Sequence, residues 1–407
     1  MALTTAISPV CNSRVAGGHE VLVSATSVTT PCSSLTRTAV ISSSVANKIS
    51  LRLTAPNPRS KSISGSLRKQ IICSAVAPAA STQKEYGMDS PKMKEMMAFL
   101  EKDLPHLFDE QGIDKSMYDE KVNFVDPVTK YDNLNGYLFN IQVLRRIFSP
   151  IFELHSVKQT GPTEITTRWT MTMTFSLLPW KPKLVFTGLS IMTVNPETGK
   201  FNSHVDLWDS IENNEYFSFE AAKDVFKQLK LYKTPDLETP KYQVLKRTSV
   251  YEVRKYEPFI VAETPSEQLI GNTGFKEVAG YLFGKNTTGE SMKMTTPVFN
   301  QALGDKSSLQ FVLPLNRELS TAPSPLSENV KLQEVDKKFA ATLKFNGQAT
   351  EAAIRERESV LRAALIKDGL QPEEGYLLAR YNDPDRTQPF MRRNEVIIWL
   401  KNFELQV

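Results

Sequence analysis

Cysteine is almost missing from this chain. Three occur in 407 residues, Cys11, Cys32 and Cys73, all near the N-terminus. From Ser74 onward the absence of thiols excludes disulfides, thiolate metal sites and a cysteine nucleophile. Histidine is nearly as scarce: His19, His106, His155 and His204 are the full set, and neither His nor Cys lies between Pro235 and Val407. His106 and His155 lack metal-ligand spacing. No apolar run is long enough to cross a bilayer as a helix. Phosphate-loop and Ser-His-Asp constellations are absent too.

Acidic side chains are missing from one stretch. Up to Cys73 the chain carries Arg14, Arg37, Lys48, Arg52, Arg59, Lys61, Arg68 and Lys69 against Glu20 alone, among many Ser and Thr. Such a segment buries too little to fold and reads as an organelle-targeting peptide. Its Met-Ala opening and its ending, Ile71-Ile72-Cys73-Ser74-Ala75, are similar to a plastid transit peptide cleaved near Cys73. A mitochondrial presequence is the alternative, but no Arg-bearing amphipathic helix is present. The chain's excess of four positive charges becomes a deficit of three once these residues are set aside. Nucleic acid is therefore not an expected partner. The expected location is the chloroplast stroma, with peripheral association at thylakoid or plastoglobule surfaces left open.

What remains is long enough for two domains. The composition divides it into a flexible leader (74–89), a first domain (90–232), a Pro-bearing linker (233–240) and a second domain (241–407). In the first, Ser90-Pro91 is a helix start, with Met93, Met97, Leu100 and Leu104 on one face. A second helix is predicted over 136–148, with Tyr137, Ile141, Leu144 and Phe148 together. Residues 164–176 alternate strictly: Ile165, Thr167, Trp169, Met171, Met173 and Phe175 lie on one side, and a Thr-rich set on the other. That Thr face is expected to be solvated or to line a polar cavity. Strands over 183–194 and 201–208 follow, then an amphipathic helix over 218–231 with Ala222, Val225, Phe226 and Leu229 inward. Helices followed by long antiparallel strands make an α+β domain.

This half resembles an uncharacterised plant and cyanobacterial domain that itself resembles the NTF2-like cone. The resemblance rests on Tyr118-x-x-x-Val122-x-Phe124-x-Asp126-Pro127, Arg168-Trp169, Leu178-Pro179-Trp180, Gly188 and His204-x-Asp206-x-Trp208-Asp209. Such cones serve both enzymes and binding modules, so the fold decides nothing about activity. His204 and Asp206 share a strand face, either as an acid–base pair or as a structural pair beside Trp208.

The second domain is built twice. The first unit has a strand near 242–246, a strand over 250–264, a helix over 274–283 and strands near 296–301 and 309–314. The second unit has strands at 331–334 and 339–345, a helix over 351–367 ended by Gly369, then strands at 375–381 and 395–401. In the second helix Ile354, Leu361 and Leu365 form the buried stripe. The Pro/Ser-rich connection 320–329 is expected to be mobile.

Three motifs in this domain, Tyr251-x-x-Arg254-x-Tyr256-x-Pro258, Gly284-Lys285-Asn286 and Met294-Thr295-Thr296-Pro297-Val298, resemble the SOUL/haem-binding protein family. The resemblance implies an antiparallel barrel-like sheet with two helices. It also implies reversible carrying or buffering of haem or another tetrapyrrole, with a tetrapyrrole-metabolism enzyme as a conceivable partner. It implies no catalysis; a site in the cone near His204 and Asp206, or a purely interacting protein, are the alternatives. Unlike members that use histidine, this domain offers iron only Met, Tyr or no ligand, so a redox centre is not expected.

Burying roughly 400 Å² of macrocycle at about 25 cal/mol/Å² gives on the order of 10 kcal/mol. Association costs of at least about 4 kcal/mol bring this to tens of micromolar. By position, Phe275, Val278, Ala279, Leu282, Met292 and Met294 are candidates for apolar contacts, and Arg254, Lys276, Lys285 and Lys293 for propionates. The plainer reading makes Phe275, Val278 and Leu282 a core stripe, which a helix lying on a sheet needs, and Thr295-Thr296-Pro297 a strand entrance.

Overall fold

The first helix starts where its cap chemistry places it. In the computed structural model, which describes residues 86–270 and 274–406, the Ser90 side chain accepts from the Met93 N–H at 3.3 Å and Pro91 opens α1 (Pro91–Asp103). The segment 1–73 read from sequence as a targeting peptide, most of the expected leader and the Gly271-Asn272-Thr273 stretch lie outside the described residues. After α1 come β1 (Tyr118–Val125), β2 (Lys130–Tyr131), α2 (Leu134–Ile147), β3 (Phe148–Gln159), β4 (Glu164–Phe175), β5 (Lys183–Val194), β6 (Phe201–Trp208) and α3 (Phe219–Gln228).

Their sheet has the order β2-β1-β6-β5-β4-β3, antiparallel throughout except for the β1–β6 pair. Its inner face closes on α1 and α2 through Met93, Met96, Leu100, Tyr118, Tyr137 and Phe201. This is the α+β arrangement expected from the helix-then-strand order, and the cone that the resemblance implies. Gly188 is required on β5, because a Cβ there would meet the Leu207 carbonyl at 2.2 Å and the Trp169 ring at 3.0 Å.

Two first-domain expectations are corrected. The Thr face of β4 is not solvated: Thr166, Arg168 and Thr170 are buried. Thr170 donates to the Val244 carbonyl at 2.7 Å, and Thr187 on β5 accepts from the Arg247 N–H at 2.7 Å, so this face is covered by the second domain. In α3, Phe226 points outward and Asp224 inward. A bidentate pair between Asp224 and Arg247 of the second domain, at 2.7 and 2.9 Å, turns the helix away from its apolar stripe.

The second domain contains β7 (Tyr242–Arg247), β8 (Glu252–Tyr256), β9 (Phe259–Ser266), α4 (Phe275–Leu282), β10 (Val298–Leu303), β11 (Lys306–Val312), β12 (Lys331–Val335), β13 (Lys338–Phe345), α5 (Glu351–Lys367), β14 (Tyr376–Arg380) and β15 (Asn394–Leu400). The strand expected over 250–264 is interrupted at Glu257-Pro258, where proline removes a ladder donor.

The sheet order is β12-β9-β11-β10-β14-β15-β13-β8-β7. β8 and β9 are one chain run parted by two residues, yet they sit near opposite ends of that order, and so do β12 and β13. Two residues span at most about 7 Å. The sheet must therefore curl until its ends meet. The register agrees: Tyr256 faces Lys338 and Phe259 faces Val335, so both kinked runs stay in step as one ribbon that closes the barrel.

The side chains fall into three layers. Phe259, Val261, Phe299, Ala340, Tyr381 and Ile397 fill the barrel. On one outer side Ile260, Leu309 and Phe311 meet Val278, Tyr281 and Leu282 of α4. On the other, Val253, Leu343 and Val396 meet Ile354, Leu361 and Leu365 of α5.

Candidate functional site

α4 carries its core stripe at Val278, Tyr281 and Leu282, which are buried against β9 and β11. Its other face is apolar as well. Phe275 remains 39 % exposed with its ring edge on Phe311, Ala279 is half-buried, and Phe283 just past the helix is 57 % exposed. Gly280 lies on the same face, where a Cβ would come within 2.9 Å of the Lys285 side chain, so the lysine stem lies across the helix. Lys276, on this same face, and Lys285, just past the helix, are exposed, as is Glu277, and Lys293 and Met294 are exposed on the segment that leads into β10.

Two loops frame the strip. Gly284, with φ of 101°, turns the chain, and Met292 N–H donates back to the Leu282 carbonyl at 2.7 Å. The buried Asn286 holds that loop by donating to the Tyr281 and Glu290 carbonyls and accepting from Glu290 N–H. The connection 320–329, expected to be mobile, is tied to the same loop. Tyr281 donates to the Pro323 carbonyl at 2.9 Å, Thr287 N–H to Ser324, and Ser324 N–H to the Thr287 hydroxyl. Local composition revealed its prolines and serines but not this long-range pairing.

The candidate residues therefore divide. Phe275, Lys276, Ala279 and Lys285 come together on the outer strip of α4, whereas Val278, Leu282 and Met292 lie beneath it in the core. Arg254 is the clear correction. It is fully buried inside the barrel, bidentate to Glu395 at 2.8 and 3.1 Å and bound to Glu252 at 2.6 and 2.9 Å, so it has no free face for a propionate. Arg393 and Tyr381 also donate to Glu395. Burial alone would raise the Glu395 carboxyl; Arg254 and Arg393 outweigh it and hold the group well below the usual range. For Glu252 burial opposes Arg254 and Lys344 in the same way, and the result is about 2. In the Met294-Thr-Thr-Pro segment, Thr295 donates to the Val312 carbonyl at 2.6 Å and Thr296 to Tyr381 at 3.1 Å, locking the entrance to β10.

A cavity of about 610 Å³ opens beside Phe259, Ile260, Leu313, Pro314, Leu315 and Arg317, with Glu318 and Glu334 on its wall. Sequence periodicity gave no sign of it, because its wall is assembled from a strand start and a distant loop.

In the cone, His204 is buried. One ring nitrogen meets the Tyr137 hydroxyl at 3.1 Å and the other Asp206 at 2.9 Å; Ser190 donates to Asp206 and Trp169 to Ser190. Phe124 and Tyr137 pack edge-on to the imidazole. Both nitrogens are engaged within a packed aromatic core, an arrangement that fixes structure rather than presenting a base to a substrate.

Among known proteins, the profile described as SOUL heme-binding protein matches residues 237–399, and that of an uncharacterized conserved protein, DUF2358, matches 94–204. Pig heme-binding protein 1 is 31 % identical over 180 residues, 40 % of this chain and 92 % of the relative. Human heme-binding protein 2 is 26 % identical over 164 residues, 37 % of this chain and 78 % of its own length. Of solved structures, an NTF2-like protein of unknown function from Exiguobacterium sp. 255-15 is 13 % identical with a TM-score of 0.23, and the match covers 30 % of this chain and 99 % of that one. With the profile spanning the whole barrel and the pig relative matched over 92 % of its length, the chain belongs, through this domain, to the SOUL heme-binding protein family.

Proposed function

We propose that the second domain binds haem or a related tetrapyrrole reversibly on the outer strip of α4, as a ligand to be carried or buffered. The observation that carries this reading is an apolar helix face, Phe275, Ala279 and Phe283, left open between Lys276 and Lys285 on a helix whose core stripe is already satisfied beneath it. A flat apolar ring with two carboxylates matches that pattern of grease and cation. The relatives' names point to the same ligand. The domain contains neither His nor Cys, so the ring is held by shape and charge, with Met294 the exposed soft donor nearest in sequence, Met292 being buried. The 610 Å³ cavity is large enough for a ring, but Glu318 and Glu334 would oppose propionates there.

The composition of residues 1–73 supports a plastid as the place of action, where a tetrapyrrole-metabolism enzyme would deliver or receive the ligand and thylakoid or plastoglobule surfaces would be at hand. Titrating the full chain with haem and following the Soret band tests the reading. A saturable shift that is lost in Phe275→Asp/Phe283→Asp is expected; a shift unchanged in that variant but lost in Leu315→Asp would move the site to the cavity. An enzymatic role for the cone is the second reading, and turnover of any tetrapyrrole that stops in His204→Ala with the fold intact would establish it.

A further inference from the structure

Four large apolar side chains among the described residues are more than 70 % exposed: Phe217 and Phe219 at 82 %, Phe226 at 72 % and Leu177 at 71 %. All four lie in the first domain, on α3, at its start or on the turn pinned to its end. Phe217 and Phe219 flank the cap of α3, and Phe226 is two turns along the same helix. Leu177 belongs to the β4–β5 turn, which is pinned to the end of α3 by the Trp180 indole donating to the Leu229 carbonyl at 3.1 Å. Phe217 also sits at φ of 63°, a conformation that disfavours a bulky L-residue, and it gains no cover in return.

The outer face of α3 alternates these rings with positive charge. Phe219, Lys223, Phe226, Lys227 and Lys230 follow one another at helical spacing, all exposed. The acids of the helix are withdrawn from this face. Asp224 is turned inward onto Arg247 and Ser210, and the Glu220 carboxylate accepts from the Glu212 and Asn213 N–H groups. Lys181 on the adjoining turn and Lys183 at the start of β5 add to the same sign, and with Lys227 and Lys230 they rim a cleft shared with Arg247 and Lys344 of the second domain. A second copy of the chain would bring lysine against lysine here, so the face is badly suited to a symmetric dimer.

From this juxtaposition of exposed phenylalanines and lysines we propose that α3 and the β4–β5 turn dock the protein on an anionic lipid surface. The rings enter the acyl boundary while the lysines meet headgroup phosphates. The helix lies in the membrane plane, about 15 Å long, and nothing crosses the bilayer. The inference is independent of where a tetrapyrrole binds, since α3 and α4 belong to different domains.

Flotation of the full chain with phosphatidylcholine vesicles containing about one quarter phosphatidylglycerol tests it. The basic segment 1–73 is present in every variant, so differences report on the α3 face alone. Phe217→Ser/Phe219→Ser/Phe226→Ser should lower vesicle partition at least about tenfold. Lys223→Glu/Lys227→Glu/Lys230→Glu should abolish the response to phosphatidylglycerol content. Both variants should keep the parent's melting curve and haem titration, which separates failure here from failure of the tetrapyrrole reading. Partition unchanged in the Phe variant would overturn the proposal by assigning lipid contact to another segment. Absence of vesicle binding, with the face instead mediating self-association or capture by an acidic protein, would overturn it as well.

Discussion

α5 runs 17 residues and sets ion pairs, Arg355 to Glu351 and Arg362 to Glu358, beside its exposed Val360 and Ile366, while its counterpart α4 runs 8 residues and leaves the aromatic rings of Phe275 and Phe283 to solvent. Both helices bury the same kind of stripe on the same barrel, from opposite sides. The core requirement is thus met equally, and what differs is what each outer face is left to do. On α5 local charge surrounds exposed aliphatic side chains, whereas α4 carries exposed rings and is framed by two loops that stop short of covering them. The two halves share a scaffold, a helix packed on one barrel, and differ in the surface that helix leaves open.

Removing what the halves share should cost most. Glu395→Gln leaves Arg254 and Arg393 without their common partner and should destabilise the protein by roughly 3–5 kcal/mol, read as a lower urea midpoint. Hydrogen exchange around α4 and α5 should rise together; a rise on one side alone would break the symmetry argument. The same groups set an acid limit. Glu252 and Glu395 are lower in the folded protein than their ordinary value of 4.5, so their stabilisation is complete above that value. It is lost as pH falls from there towards about 2. In Glu395→Gln the acid limb of the stability–pH curve should flatten.

Deleting core atoms on either side should cost somewhat less. Leu282→Ala and Leu361→Ala are each expected to lose about 2–5 kcal/mol, but only Leu282→Ala should also disturb the Soret titration. Changing the outer faces should sharpen the contrast with little effect on stability. Phe275→Asp/Phe283→Asp should weaken haem at least about tenfold, or 1.4 kcal/mol, whereas Val360→Asp/Ile366→Asp on α5 should leave it unchanged. The smallest effect is expected from Lys276→Ala, about two- to fivefold in affinity at low salt and less at high salt.

Much of this contrast was legible in the sequence, because both stripes repeat with helical period and Gly369 and Pro258 punctuate as their chemistry requires. The α4 strip was only partly legible: Phe275 and Val278 look alike in sequence, and only packing puts one outside and the other in the core. Arg254 misled for a related reason. A cation next to aromatics reads as a ligand contact until its partner Glu395, 141 residues away, is seen beside it. The same distance effect hid the covered face of β4, whose Thr170 meets Val244, and the inward turn of Asp224 toward Arg247. Local pattern reports which face is polar, but not whether water or another domain lies on it.

The kinks at 257–258 and 336–337 have a consequence for the domain's modularity. β8 belongs to the first half yet pairs with β13 of the second, and β12 of the second pairs with β9 of the first, so each half lends its opening strand to the other. Neither half is a free-standing building block. A half produced alone would present unsatisfied strand edges where the borrowed strand is missing, and two such fragments would complete each other by exchanging them.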